Sequence, residues 1–270
     1  KINAMNSNDT KTAEPAKKNS KKARRMDLAA YRHAVPVVLW LGIVLLANMM
    51  HIAEGSETED IKSLNLVSLP MLYAIRTAIC VIALFICRPW RYYSALNVKH
   101  ILPAIGIGLG VFILWIGLET EFVKSICPSL ANLYELWAVK PFGELREPLE
   151  VTPYAPSVCG VFMTSIRFIG SAFVISIIEE FFWRGYLLRT ARTPDFLDID
   201  IGQLHLPSFL IVAAIFAIEH NEVLAGFLCG IIYGLFYIKT RDIWATAIAH
   251  ITTNAVLGAY VLATGKYFYW

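Results

Sequence analysis

The chain has 270 residues, of which 57% are hydrophobic and 17% charged, with a formal net charge of +3 and a mean hydropathy of +0.54. That is more apolar surface than a water-soluble core of this size can hide, so an ordinary soluble domain is excluded. A bilayer is the expected solvent, membrane lipid an expected partner, and no nucleic-acid partner is expected.

The first 32 residues are rich in Lys, Asn, Ser, Thr and Ala and lack an apolar block. Their basic cluster Lys17, Lys18, Lys21, Lys22, Arg24 and Arg25 reads as a disordered cytoplasmic tail that sets topology. A secretory signal is a poor reading, because the apolar stretch after Arg32 is long and no small-residue cleavage site follows it. Residues 33–270 read as one transmembrane domain without internal repeats. The predicted fold class is all-α, a polytopic transmembrane helical bundle of seven to eight membrane helices.

Uninterrupted apolar windows predict helices at about 34–50, 67–87, 101–118, 159–188, 208–220, 223–238 and 243–264, each judged against the roughly 20 residues needed to cross the hydrocarbon. An eighth arises if the fourth is broken. The loops alternate in charge: basic before the first window, acidic around Glu54, Glu57, Glu59 and Asp60, and basic again at Arg88, Arg91 and Lys99. The stretch from Glu119 to Ser157, with Tyr134 and Trp137, is acidic and belongs outside. Arg184, Arg189, Arg192, Lys239 and Arg241 belong inside, which makes the N-terminus cytoplasmic and the chain a multi-pass protein of a plasma membrane, expected to be bacterial.

The windows 208–220 and 223–238 are short for full crossings and meet at Asn221 and Glu222. The second carries Gly226, Gly230 and Gly234 at four-residue spacing, a face of nearly bare backbone suited to close packing on a neighbour. The five cysteines show no CxxC spacing, so neither a zinc knuckle nor a disulfide framework is indicated; Cys127 and Cys159 flank one polar stretch and could bridge if it is extracytoplasmic.

Eight strongly polar residues interrupt the apolar segments: Arg76, Arg167, Glu179, Glu180, Arg184, His220, His250 and Asn254. Each charged one costs about 2.5–3.5 kcal/mol at mid-helix, so such groups are expected to face protein or a wet cavity. Glu180 and Arg184, four apart, stack on one helix face and can pair. Glu179 is turned about 100° away and lacks that partner, which suits it to general base work; a purely structural salt-bridge network is the competing reading. His250 and Asn254 project together from one face and can donate hydrogen bonds to an oxygen that gains charge, or clasp two helices. His220 lies roughly 18 Å along its helix from Pro207, at a depth similar to that of Glu179. A carboxylate, two imidazoles and an amide suffice for water activation and attack on a carbonyl. Glu179, His220 and His250 could alternatively supply ligands to a divalent metal such as zinc, and the sequence does not choose between these versions.

The segments Glu179-Glu180-x-x-x-Arg184, Phe216-x-x-x-His220 and His250-x-x-x-Asn254, in this order on successive membrane helices, resemble the three motifs of the CAAX prenyl protease and bacteriocin-processing family of intramembrane proteases, within residues 162–262. The resemblance implies that Glu179 and His220 activate the attacking water, that His250 and Asn254 stabilise the oxyanion, that Glu180 and Arg184 support the site, and that Phe216 walls the cavity. It implies an intramembrane endopeptidase acting on a membrane-anchored or lipidated protein or peptide. Two alternatives stay open at this point: a non-catalytic peptide-binding or bacteriocin-immunity protein, and a proton-coupled transporter.

Overall fold

A computed structural model describes residues 9–49, 59–117, 119–136 and 152–270. The described residues form nine α-helices with short 3₁₀ turns and no strand: α1 Asp9–Met49, α2 Glu59–Cys87, α3 Ile101–Gly117, α4 Glu121–Ile126, α5 Pro128–Tyr134, α6 Pro156–Thr190, α7 Leu206–Ile218, α8 Val223–Thr240 and α9 Ile243–Thr264. Six of them, α1, α2, α3, α6, α8 and α9, contain spans long and apolar enough to cross a bilayer, and α7 is a shorter apolar helix of 13 residues. Each of the seven apolar windows therefore corresponds to one helix, and the chain is an integral membrane protein. Their outer faces carry exposed Leu, Ile, Val and Phe, among them Leu45, Phe85, Leu102 and Ile113, as helices solvated by lipid require.

Two expectations are modified. The basic stretch expected to be disordered is helical from Asp9 onward, continuous with the first apolar window. Ala, Lys and Arg are strong helix formers that need no apolar face, and Met26 and Ala29 are buried. The fourth window departs from helical backbone once, near its start, where Gly160 has φ 79°. Beyond Gly160 the helix runs on to Thr190 through two π-helical segments, Gly170–Val174 and Trp183–Leu187. Trp137 and the acidic residues Glu54 and Glu57 lie outside the described residues.

Polar contacts identify the two ends of the bundle. At one end Lys22 pairs with Asp195 at 2.7 Å and Asp198 at 2.8 Å, and Arg241 pairs with Asp200 at 3.0 Å. Asp242, the N-cap of α9, accepts from Trp244 N and Ala245 N and also holds His100 Nδ1 at 3.0 Å. Lys22 and Arg241 thus pair with the stretch 195–200 at the same end of the bundle. At the other end Tyr269 donates to Glu119 across 2.6 Å.

Close packing sets the helix pairs around the site. The three glycines of α8 face α7: a Cβ on Gly226 would lie 3.2 Å from Ala217 Cα, one on Gly230 would lie 3.2 Å from Ala213 Cα, and one on Gly234 would meet the Phe209 ring at 2.6 Å. The backbones approach as the four-residue spacing predicts. Gly108 of α3 likewise lies against the Ala249 carbonyl of α9 and 2.6 Å, measured from a built Cβ, from Thr252 Cβ. All five cysteines are free thiols.

Candidate active site

A cavity of about 310 Å³ opens among α1, α2, α3, α6, α7, α8 and α9, and Glu179, Phe216, His220, His250 and Asn254 all line it. Residues from three distant stretches of sequence therefore reach one water-accessible space.

The two carboxylates of α6 separate as the helical period requires. Glu180 is fully buried; its Oε1 accepts from Arg184 Nη1 at 2.9 Å and from His250 Nδ1 at 2.8 Å. Removing either Glu180 or Arg184 would strand the other's charge in low dielectric. Glu179 instead faces the cavity with a side chain 13% exposed, and its Oε2 lies 3.8 Å from His250 Nε2. His250 thus stands between the pair, held by Glu180 through one ring nitrogen and facing Glu179 with the other. With Nδ1–H donated to the ionised Glu180, Nε2 is the nitrogen available for chemistry.

His220 follows the last turn of α7, and its Nδ1 lies 2.8 Å from the Phe216 carbonyl. A carbonyl can only accept, so Nδ1 carries a proton, and in the neutral form of the ring the lone pair is on Nε2. Trp115 packs edge-on against this ring at 5.3 Å. Phe216 does more than wall the space: its ring contacts those of His220 at 4.7 Å and His250 at 6.3 Å, and the Arg184 guanidinium lies over it at 4.4 Å.

Asn254 lines the cavity and also bonds to α6. Its Nδ2 donates to the Ser171 carbonyl at 3.0 Å and to Ser176 Oγ at 3.0 Å. Both N–H groups are spent, and Oδ1, an acceptor, is what remains. Ser171 belongs to the first π-helical segment of α6, so these bonds fasten α9 to α6 at that segment.

Several residues around the site were not singled out from sequence. Glu219, at the end of α7, lines the cavity and is an electrostatic neighbour of Glu179; in sequence it reads as an ordinary helix-end carboxylate. Tyr233 stacks near His250 at 5.3 Å and donates to Thr253 Oγ1 at 2.6 Å, which in turn donates to the Gly108 carbonyl at 2.7 Å. That relay ties α8, α9 and α3 together, and only the tertiary fold reveals it.

Arg76 and Arg167, flagged in the sequence only as misplaced charges, line the same cavity. They flank one aromatic cluster: Arg76 lies 4.0 Å from the Trp40 ring and 4.7 Å from Tyr73, and Arg167 lies 4.4 Å from Tyr73 and 4.8 Å from Tyr154. Such stacking returns on the order of 0.5–2 kcal/mol, less than the roughly 2.5–3.5 kcal/mol of placing each cation at mid-membrane. Among the described residues no carboxylate forms an ion pair with either.

Among the described residues no group of three His, Cys, Asp or Glu side chains is arranged to hold a metal ion.

Searches of curated proteins and of solved structures returned no match. A family model does match: type II CAAX prenyl endopeptidase, Rce1-like, over residues 161–256. The matched stretch runs from α6 into α9 and contains Glu179, Glu180, Arg184, Phe216, His220, His250 and Asn254. The residues read from the three short motifs therefore all fall within the stretch that is similar to the Rce1-like type II CAAX prenyl endopeptidase family, and five of the seven line the cavity.

Proposed function

We propose that this protein is an intramembrane endopeptidase that hydrolyses a peptide bond of a membrane-anchored or lipidated protein or peptide, with its N-terminus in the cytoplasm. The observation that carries this reading is the placement of His250, held by buried Glu180 at 2.8 Å while it faces the cavity carboxylate Glu179 at 3.8 Å. A structural salt-bridge network needs no second carboxylate turned toward an open space.

In this mechanism a water in the cavity is held by Glu179 and by the Nε2 lone pair of His220. Its oxygen adds to the substrate carbonyl carbon as its proton passes to Glu179. The carbonyl oxygen gains the negative charge and is met by Nε2–H of protonated His250, which Glu180 orients. The intermediate collapses, the C–N bond breaks, and Glu179 returns its proton to the leaving nitrogen. Asn254, which the resemblance pairs with His250 in the oxyanion role, also acts as a positioning residue that fastens α9 to the first π-helical segment of α6.

The test is cleavage of quenched membrane peptides, lipidated and unlipidated, in proteoliposomes, with and without a chelator. Cleavage by the wild type that is lost in Glu179→Gln and His220→Ala supports the reading. A library left uncut by folded wild-type protein, with Glu179→Gln indistinguishable in every assay, removes it. Activity abolished by chelation and restored by one added metal would replace the metal-free mechanism while keeping the reaction.

A further inference from the structure

Resting on the protease reading, we propose that Arg76 and Arg167 form an anion subsite in the catalytic cavity that binds the free C-terminal carboxylate of the substrate. Arg76 and Arg167 would then be the residues that fix the position of that end in the cavity.

Three observations converge. Both guanidiniums line the cavity that holds Glu179, His220 and His250. Each has a buried Nε without a hydrogen-bond partner, and among the described residues neither is ion-paired. Both stand over Tyr73, at 4.7 and 4.4 Å, so two like charges are held beside one ring with no anion between them. Two planar forks converging on one space suit a carboxylate, which accepts two parallel hydrogen bonds.

The charge layout agrees. The carboxylates lining the cavity, Glu179, Glu219 and Glu222, belong to the hydrolytic region and to the α7–α8 turn, whereas α2 and the earlier part of α6 contribute the arginines. A peptide end would therefore be repelled from the water-activating groups and drawn to the cations. Arg167 precedes Glu179 by 12 residues on α6, about 18 Å at the helical rise. Tyr73 and Thr77 pack on Gly170, which places Arg76 at an intermediate level. An extended peptide covers that distance in about five or six residues.

The experiment compares matched membrane peptides ending in a carboxylate or in a carboxamide. Their binding to Glu179→Gln protein in phosphatidylcholine vesicles is read by photocrosslinking, and their cleavage by wild type is read as kcat/KM. The expected result is at least tenfold tighter binding of the acid, reduced to about twofold or less in Arg76→Gln and Arg167→Gln backgrounds and partly kept in Arg76→Lys. Equal binding of acid and amide to Glu179→Gln protein would overturn the proposal, whether or not the wild type cleaves anything. Acid preference surviving both Gln variants would overturn it too. So would loss of binding caused by phosphatidylglycerol vesicles alone, which would assign the cations to a lipid phosphate. Because binding is read on a hydrolytically disabled protein, failure of the subsite and failure of the protease reading are separate results.

Discussion

His250 Nδ1 lies 2.8 Å from Glu180 Oε1 although the two residues are 70 positions apart in the chain. The same carboxylate oxygen accepts from Arg184 at 2.9 Å. One buried anion thus serves two cationic or cation-forming groups, and it fixes which nitrogen of His250 faces the cavity.

Glu180→Ala is expected to destabilise the protein by about 3–5 kcal/mol, because it leaves the Arg184 guanidinium, 3% exposed, as a buried charge without its counter-ion. Thermal unfolding in detergent measures this. Glu180→Gln keeps the volume and an acceptor but loses the charge, so a smaller loss of stability is expected, with cleavage reduced about 10–100-fold as His250 loses its orientation.

Glu179→Gln is expected to lower kcat/KM by about a thousandfold or more, within the range of a lost general base, with little change in melting temperature. Glu179 makes no hydrogen bond like those that bury Glu180, so the two neighbouring substitutions should separate: one affects chemistry, the other stability. Equal melting-temperature losses in both variants would contradict this division.

The pH profile has a determined sign. Only ionised Glu179 can take a proton from water, so cleavage should rise with pH as that carboxylate loses its proton. A flat rate across about pH 5 to 8, measured under saturating substrate, would count against Glu179 as the base.

Gly108→Ala and Gly234→Ala are expected to destabilise by about 1–3 kcal/mol each, through overpacking. A Cβ at 108 runs into the Ala249 carbonyl, which cannot yield without moving α9, while a Cβ at 234 meets the Phe209 ring at 2.6 Å. Because α9 carries His250 and α7 leads to His220, both changes should also lower cleavage. Circular dichroism melts and the peptide assay report the two effects separately.

Orientation is testable from the paired end of the bundle. A cysteine placed at Asp200, whose side chain is exposed and pairs with Arg241, should be labelled by membrane-impermeant maleimide only in inside-out vesicles. Labelling from outside intact cells would invert the assigned topology.

Much of this protein was legible in its sequence because the bilayer imposes a strong constraint: every crossing segment must satisfy its backbone internally and carry apolar side chains over a fixed length. The seven windows and the close-packing face at Gly226, Gly230 and Gly234 follow from that constraint and from helical periodicity. Periodicity also separated Glu179 from Glu180 and paired Glu180 with Arg184, since those relations are local to one helix. The helical continuation of α1 through the basic stretch was not legible, because a polar segment gives no apolar period.

Contacts between helices were decided only by the tertiary structure. Sequence spacing placed His250 and Asn254 on one face as a pair of donors, yet His250 is held by Glu180 and Asn254 spends both N–H groups on Ser171 and Ser176 of α6. The π-helical turn that contains Ser171 has no signature in residue type. Convergence of Arg76 and Arg167 on Tyr73 was equally invisible, since it depends on how α2 and α6 rotate about their own axes. Length and polarity along a helix are written in its residues one at a time, whereas the azimuth at which helices meet is set by all of them packing together.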